Sequence, residues 1–176
     1  MKKYVTALIL GATLMVSACG TPGLEAYKDS EPPIAIREYF TGHIRGWGMV
    51  QDRSGKVTRR FEVLLHGQWN GNDGTLEEHF SYYDGEKQQR VWHIHQLADG
   101  TFEGTAADII GKATGSESGS AIRWNYTMDV TANGSTYRLD FDDWMFRMKD
   151  GVVMNRSYLK KFGVRVAEIT IFLQKQ

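Results

Sequence analysis

Apolar and polar residues alternate with a period of two along most of this chain. Ile122, Trp124, Tyr126, Met128 and Val130 share one parity, while Arg123, Asn125, Thr127 and Asp129 share the other. That is the signature of a strand with one face buried. Phe61, Val63, Leu65 and Trp69 oppose Glu62, His66 and Gln68 in the same way, and Leu76, Phe80 and Tyr82 oppose Glu77, His79 and Ser81. Turn chemistry separates the runs: Ser54-Gly55-Lys56, residues 70–74, Asp84-Gly85, Asp99-Gly100, a Gly/Ser segment over 115–120, and Asn133-Gly134. No long stretch follows the helical period of 3.6.

About eight to ten consecutive antiparallel strands with short connections bury their apolar faces as a closed up-and-down barrel or as two packed sheets. Glycines inside the runs (Gly42, Gly46, Gly48, Gly67, Gly104, Gly111) favour closure, because a small barrel must bend its strands sharply. The expected fold is therefore all-β, a lipocalin-like antiparallel barrel over residues 34–176. Residues 34–40 read as a short helix closing one end.

The densest stretch of chemistry is 139–163, which reads as strand, tight turn and return strand. Leu139, Phe141, Asp143, Met145 and Arg147 fall on one face, and Asp140, Asp142, Trp144, Phe146 and Met148 on the other. Lys149-Asp150-Gly151 forms the turn, and the return strand brings Asn155, Arg156 and Ser157 alongside. A carboxylate left unpaired in a barrel would cost several kcal/mol, so Arg156 or Lys161 is its expected partner.

The first residues have a different pattern. Lys2 and Lys3 precede an apolar run of 13 residues over 4–16, and Val16-Ser17-Ala18-Cys19 follows. The run is shorter than the roughly 20 residues of a spanning helix and reads as a signal peptide over 1–18. The VSAC tetrapeptide resembles the lipobox of bacterial lipoproteins, which implies diacylglycerol on the Cys19 sulfur and acylation of the new amino terminus. Cys19 is the only cysteine, so no internal disulfide is possible. Several acyl chains, at about 0.8 kcal/mol per buried CH2, would make membrane attachment effectively permanent. Gly20 in place of an aspartate favours the outer membrane of a Gram-negative cell. Residues 19–33, with three prolines, read as the lipidated cysteine and an extended tether.

Charge narrows the partners. The chain holds 21 basic and 21 acidic residues, and losing Lys2 and Lys3 leaves 19 against 21. The basic residues are dispersed, which gives no footprint for nucleic acid.

GWGMVQDRSGKVTRRF (46–61), YDGEKQQRVW (83–92), FEGTAADIIGKATG (102–115), IRWNY (122–126), FDDWM (141–145), NRS (155–157) and KFGVRVAEITIF (161–172) resemble the bacterial lipoprotein family catalogued as domain of unknown function 3833. The resemblance runs through nearly the whole mature chain. It implies a lipid-anchored, lipocalin-like barrel and assigns no reaction.

Three constellations could carry chemistry. His93 and His95 lie two apart on one strand face, but no spacing supplies a third ligand, so they read as ordinary strand histidines with no metal. Asp140 and Asp142 share a face and could be an acid–base pair, though ion pairing with nearby arginines is the commoner role. No serine elbow or phosphate loop accompanies them, so the chain reads as a non-enzyme without a cofactor. The third constellation is a barrel-mouth ligand site. There Trp144, Trp124, Trp92 and Tyr83 line a cavity, Arg156 and Arg90 hold an anionic head group, Asp143 and Asp108 orient those arginines, and Asn155 adds a polar contact. The expected ligand is lipid-like or otherwise apolar. The alternative is an envelope structural or interaction protein whose barrel is filled by these same residues.

Overall fold

The period-two runs become ten antiparallel strands in the computed structural model, which describes residues 22–132 and 134–176. The expectations for the signal peptide, for Cys19 and for Asn133 fall outside the described residues. The strands are β1 (Gly42–Asp52), β2 (Val57–Asn70), β3 (Asp73–Tyr82), β4 (Lys87–Gln96), β5 (Phe102–Thr105), β6 (Ile109–Ser118), β7 (Ala121–Ala132), β8 (Ser135–Arg147), β9 (Val152–Lys161) and β10 (Val164–Lys175). Each pairs with its sequence neighbours, and β1 pairs with β10 from Ile44↔Lys175 to Asp52↔Ala167, closing the barrel. Closure leaves no sheet edge to template aggregation.

One helical turn, α1 (Ile36–Tyr39), plugs one end, with Ile36 and Tyr39 buried. Ile36 of this turn is fully buried, as are Ile44, Val63, Phe102, Ile122 and Val153 of the barrel. The other end, ringed by the β1–β2, β3–β4, β7–β8 and β9–β10 turns, is the mouth. The core is thus concentrated at the plugged end, and space is left toward the mouth.

The glycines inside the strands serve mainly to make room. A Cβ on Gly115 would lie 2.6 Å from the Trp124 ring, and one on Gly74 would lie 2.8 Å from the Trp69 ring. Two strand glycines are in the left-handed region instead: Gly42 (φ +84) at the start of β1, and Gly111 (φ +73) at a bulge between Ile110 and Thr114. The Gly/Ser segment over 115–120 is accordingly not all loop, since β6 runs on to Ser118 so that Gly115 can pass under Trp124.

Residues 22–33 also depart from the extended tether that their prolines suggested. Leu24–Tyr27 forms a 3-10 turn, and the Tyr27 ring packs edge-on to Phe146 (5.1 Å) and Trp144 (5.8 Å) on the outside of β8. Ser30 bonds the Tyr27 carbonyl and Ser120, and the Ile34 amide donates to the Gly119 carbonyl. The segment is a strap on the barrel wall, held by two aromatic rings that alternation turned outward.

Candidate functional site

The barrel is not filled. A cavity of about 610 Å³ runs from Ile36 and Phe40 at the plug to Thr58, Arg59 and Glu86 near the mouth. Small-molecule sites commonly enclose about 300–1,000 Å³. Its walls are mostly apolar: Phe61, Val63, Leu65, Phe80, Ile169 and Ile171 from β2, β3 and β10, with Trp92 and Trp124 across from one another at 6.4 Å. Tyr126 meets Trp92 at 5.5 Å, edge to face. These rings are inside because β4 and β7 place every second residue inward.

One polar centre interrupts this lining. Arg90 on β4 donates to Asp108 from Nε (3.0 Å) and from the guanidinium terminus (2.7 Å), and reaches Glu78 of β3 at 3.4 Å. All three side chains line the cavity. Burial pushes the Glu78 carboxyl above the ordinary range, with the Arg90 charge acting the other way. Asp143 on β8 lies beside this group, 7% exposed. Its Oδ2 accepts from the Tyr126 hydroxyl at 2.9 Å. Its Oδ1 has no hydrogen-bond partner among the described residues. Burial raises the Asp143 pKa to about 6, against the lowering effect of the neighbouring Ser157 and Tyr126 hydroxyls and of Arg90. Asn155, also in the lining, ties its amide to the Trp144 carbonyl at 3.1 Å.

Six of the residues expected at a ligand site therefore meet in the cavity: Arg90, Trp92, Asp108, Trp124, Asp143 and Asn155. Three do not. Trp144, although only 5% exposed, points out of the barrel, where Tyr27 covers it and the Arg123 guanidinium lies 4.8 Å over its ring. Arg156 is also outside, its side chain 53% exposed and paired with Glu168 at 2.6 Å. Tyr83 sits in the β3–β4 turn, 57% exposed, with Arg60 5.1 Å over its ring. The reason is alternation: Asp143 and Trp144 are adjacent, as are Asn155 and Arg156, so only one of each pair can face inward. The expected anionic head-group site is corrected with them, since Arg156 is absent and Arg90 is already engaged by two carboxylates.

The other constellations are accounted for on the outer wall. Asp142 accepts from Arg123 (2.7 Å) and Lys160 (2.9 Å). Burial works to raise its pKa, but those two cations hold it down to about 2, and Arg156 and Lys161 take no part. Asp140 accepts from Thr127 at 2.8 Å. His95 pairs with Asp73 at 2.7 Å, while His93 is exposed one inward residue away.

Sequence reading missed Glu78 and Tyr126 as site residues, yet the signal was present. Glu78 has the same parity as Leu76, Phe80 and Tyr82 on an apolar face, and a charge at such a position marks either an error of register or a buried polar centre.

The family described as "Protein of unknown function (DUF3833)" matches residues 13–175. No curated protein matches the chain. Among solved structures, lobster apocrustacyanin A1 is similar at 11% identity with a TM-score of 0.35, over 80% of this chain and 63% of that one. The chain thus spans less than two thirds of the crustacyanin chain.

Proposed function

We propose that this chain, which belongs to the DUF3833 family of proteins of unknown function, is a non-catalytic binding lipoprotein that takes a lipid-like or other apolar small molecule into its barrel. The observation that carries the reading is the largely apolar cavity of about 610 Å³, open toward a charged mouth and crossed deeper in by the Arg90–Glu78–Asp108–Asp143 centre. A filled barrel acting through its surface would leave no such space. Attachment through acyl chains on Cys19, at the outer membrane, is part of the same proposal and is supported by the VSAC tetrapeptide. The strap of residues 24–34 runs along the plugged end of the barrel, so an anchor at Cys19 holds that end toward the membrane and turns the mouth away.

Native mass spectrometry of the protein from its own host, with extraction and lipid analysis, tests the binding reading. A stoichiometric bound lipid or apolar metabolite is the expected result. A clean apo mass together with an unshifted melting temperature across a panel of lipids would sink it. Cys19→Ser tests the anchor separately: the protein should lose label from a palmitate analogue and leave the membrane fraction.

A further inference from the structure

The lining of the cavity carries a surplus of negative charge. Arg59 and Arg90 face Glu78, Glu86, Asp108, Asp129 and Asp143, two cations against five carboxyls. Near the mouth the carboxyls are paired: the lining residue Arg59 binds Glu86 as well as Asp84, and Asp129 is held by Arg138 from outside the lining at 3.0 Å. Deeper in, Arg90 is alone with Glu78, Asp108 and Asp143. Its guanidinium is committed to Asp108 and Glu78, so Asp143 has only neutral hydroxyls beside it: Tyr126 bonds one oxygen, Ser157 lies near, and Oδ1 has no hydrogen-bond partner among the described residues.

We propose that the barrel binds a cationic amphiphile, an alkyl or aryl amine whose ammonium sits at the Asp143–Glu78 carboxyls and whose apolar body lies along the cavity wall. The inference rests on the binding reading above and specifies its ligand class. Two features favour an ammonium over an acid. A carboxylate ligand would meet three carboxyls and a saturated arginine, and desolvated like charges repel strongly. An ammonium would complete the unpartnered oxygen with an N–H and would face the rings of Trp92, Trp124 and Tyr126, whose π faces attract cations. An apolar body is favoured as well, because the wall around that centre is built from Phe61, Val63, Leu65, Phe80, Ile169 and Ile171.

Binding is expected to depend on pH through the protein alone, since an alkylamine stays charged well above neutrality. The groups facing Asp143 are Arg90, Glu78, Tyr126 and Asp142, with Asp108 one contact further on through Arg90. Asp143, with its pKa raised to about 6, must be ionised to receive the ammonium.

The test is titration calorimetry of the purified protein at pH 8 with decylamine, decanol and decanoate, each below its micelle concentration. Decylamine should bind at least about tenfold more tightly than either of the others, and its affinity should fall about tenfold between pH 8 and pH 5. Asp143→Asn, and Glu78→Gln as a second variant, should shrink the amine's advantage over decanol to less than about threefold. The wild-type pH series decides alone if neither variant folds. Binding of decanol or decanoate as tightly as decylamine, or an amine affinity flat in pH, overturns the charge inference and leaves the apolar cavity reading standing. No binding of any probe to folded protein overturns both.

Discussion

The Tyr126 hydroxyl donates to Asp143 Oδ2 at 2.9 Å, and Asp143 Oδ1 has no partner among the described residues. Leaving such an atom dry costs on the order of 1–3 kcal/mol. Because burial raises the Asp143 pKa from 3.8 to about 6, the folded state takes up a proton that the unfolded state does not until lower pH. Unfolding free energy should therefore rise as pH falls from 7 to 4.5, by about 1–3 kcal/mol. Glu78, also raised, works in the same direction, while Asp142, held down to about 2, removes stability only below about pH 4. Chemical denaturation at a series of pH values reads this directly. Asp143→Asn should flatten most of the rise, and a profile that climbs toward neutral pH would show that Asp143 is ionised at no cost.

Arg90 and Arg156 separate a buried pair from an exposed one. Arg90→Leu strips the cation that Glu78 and Asp108 share, and removing one partner of a buried pair costs about 3–5 kcal/mol. Arg156→Ala loses a surface contact with Glu168, worth at most about 1 kcal/mol. Denaturant midpoints should reproduce that order, and ligand affinity should be insensitive to Arg156→Ala. Equal destabilisation by both would contradict the inward placement of Arg90.

Much of the barrel was legible from alternation. Trp124, Tyr126 and Met128 face in, as the parity of their run requires, and the turns fall where Gly and Asp cluster. Face assignment failed at the hairpin of β8 and β9, where both faces are apolar. Phe141 and Met145 fill the interior while Trp144 and Phe146 serve the strap, so hydrophobicity alone could not say which set was inside. The strap itself was hidden because Leu24–Tyr27 is too short to show a period, and the rings that Tyr27 packs on, Trp144 and Phe146, lie more than a hundred residues away in sequence.

That strap gives a third expected outcome. Tyr27→Ala uncovers the Trp144 and Phe146 rings, removing two edge-on aromatic contacts and the area they bury. The loss should be about 1–3 kcal/mol, with a red shift in tryptophan emission as Trp144 meets water. Amine or lipid binding should persist, because the cavity wall on β8 is Phe141, Asp143 and Met145. Loss of binding with Tyr27→Ala in a folded protein would mean that Trp144 belongs to the site after all.

The β9–β10 turn places Phe162 at φ 51 and Gly163 at φ 77, with the Phe162 side chain 92% exposed. Both central residues of this turn need the left-handed region, which suits Asn-Gly and penalises a bulky residue by roughly 1–2 kcal/mol. Against that cost the ring has little to set, since its one notable neighbour is the Lys161 ammonium at 5.7 Å, a surface cation–π contact. Phe162→Asn should accordingly stabilise the protein by about 0.5–1 kcal/mol, which for a chain of this size is a rise in melting temperature of about 1–4 °C. A fall in melting temperature would mean that the ring packs in solution on the neighbouring wall, with Tyr137 across from Lys161 as the nearest surface to receive it.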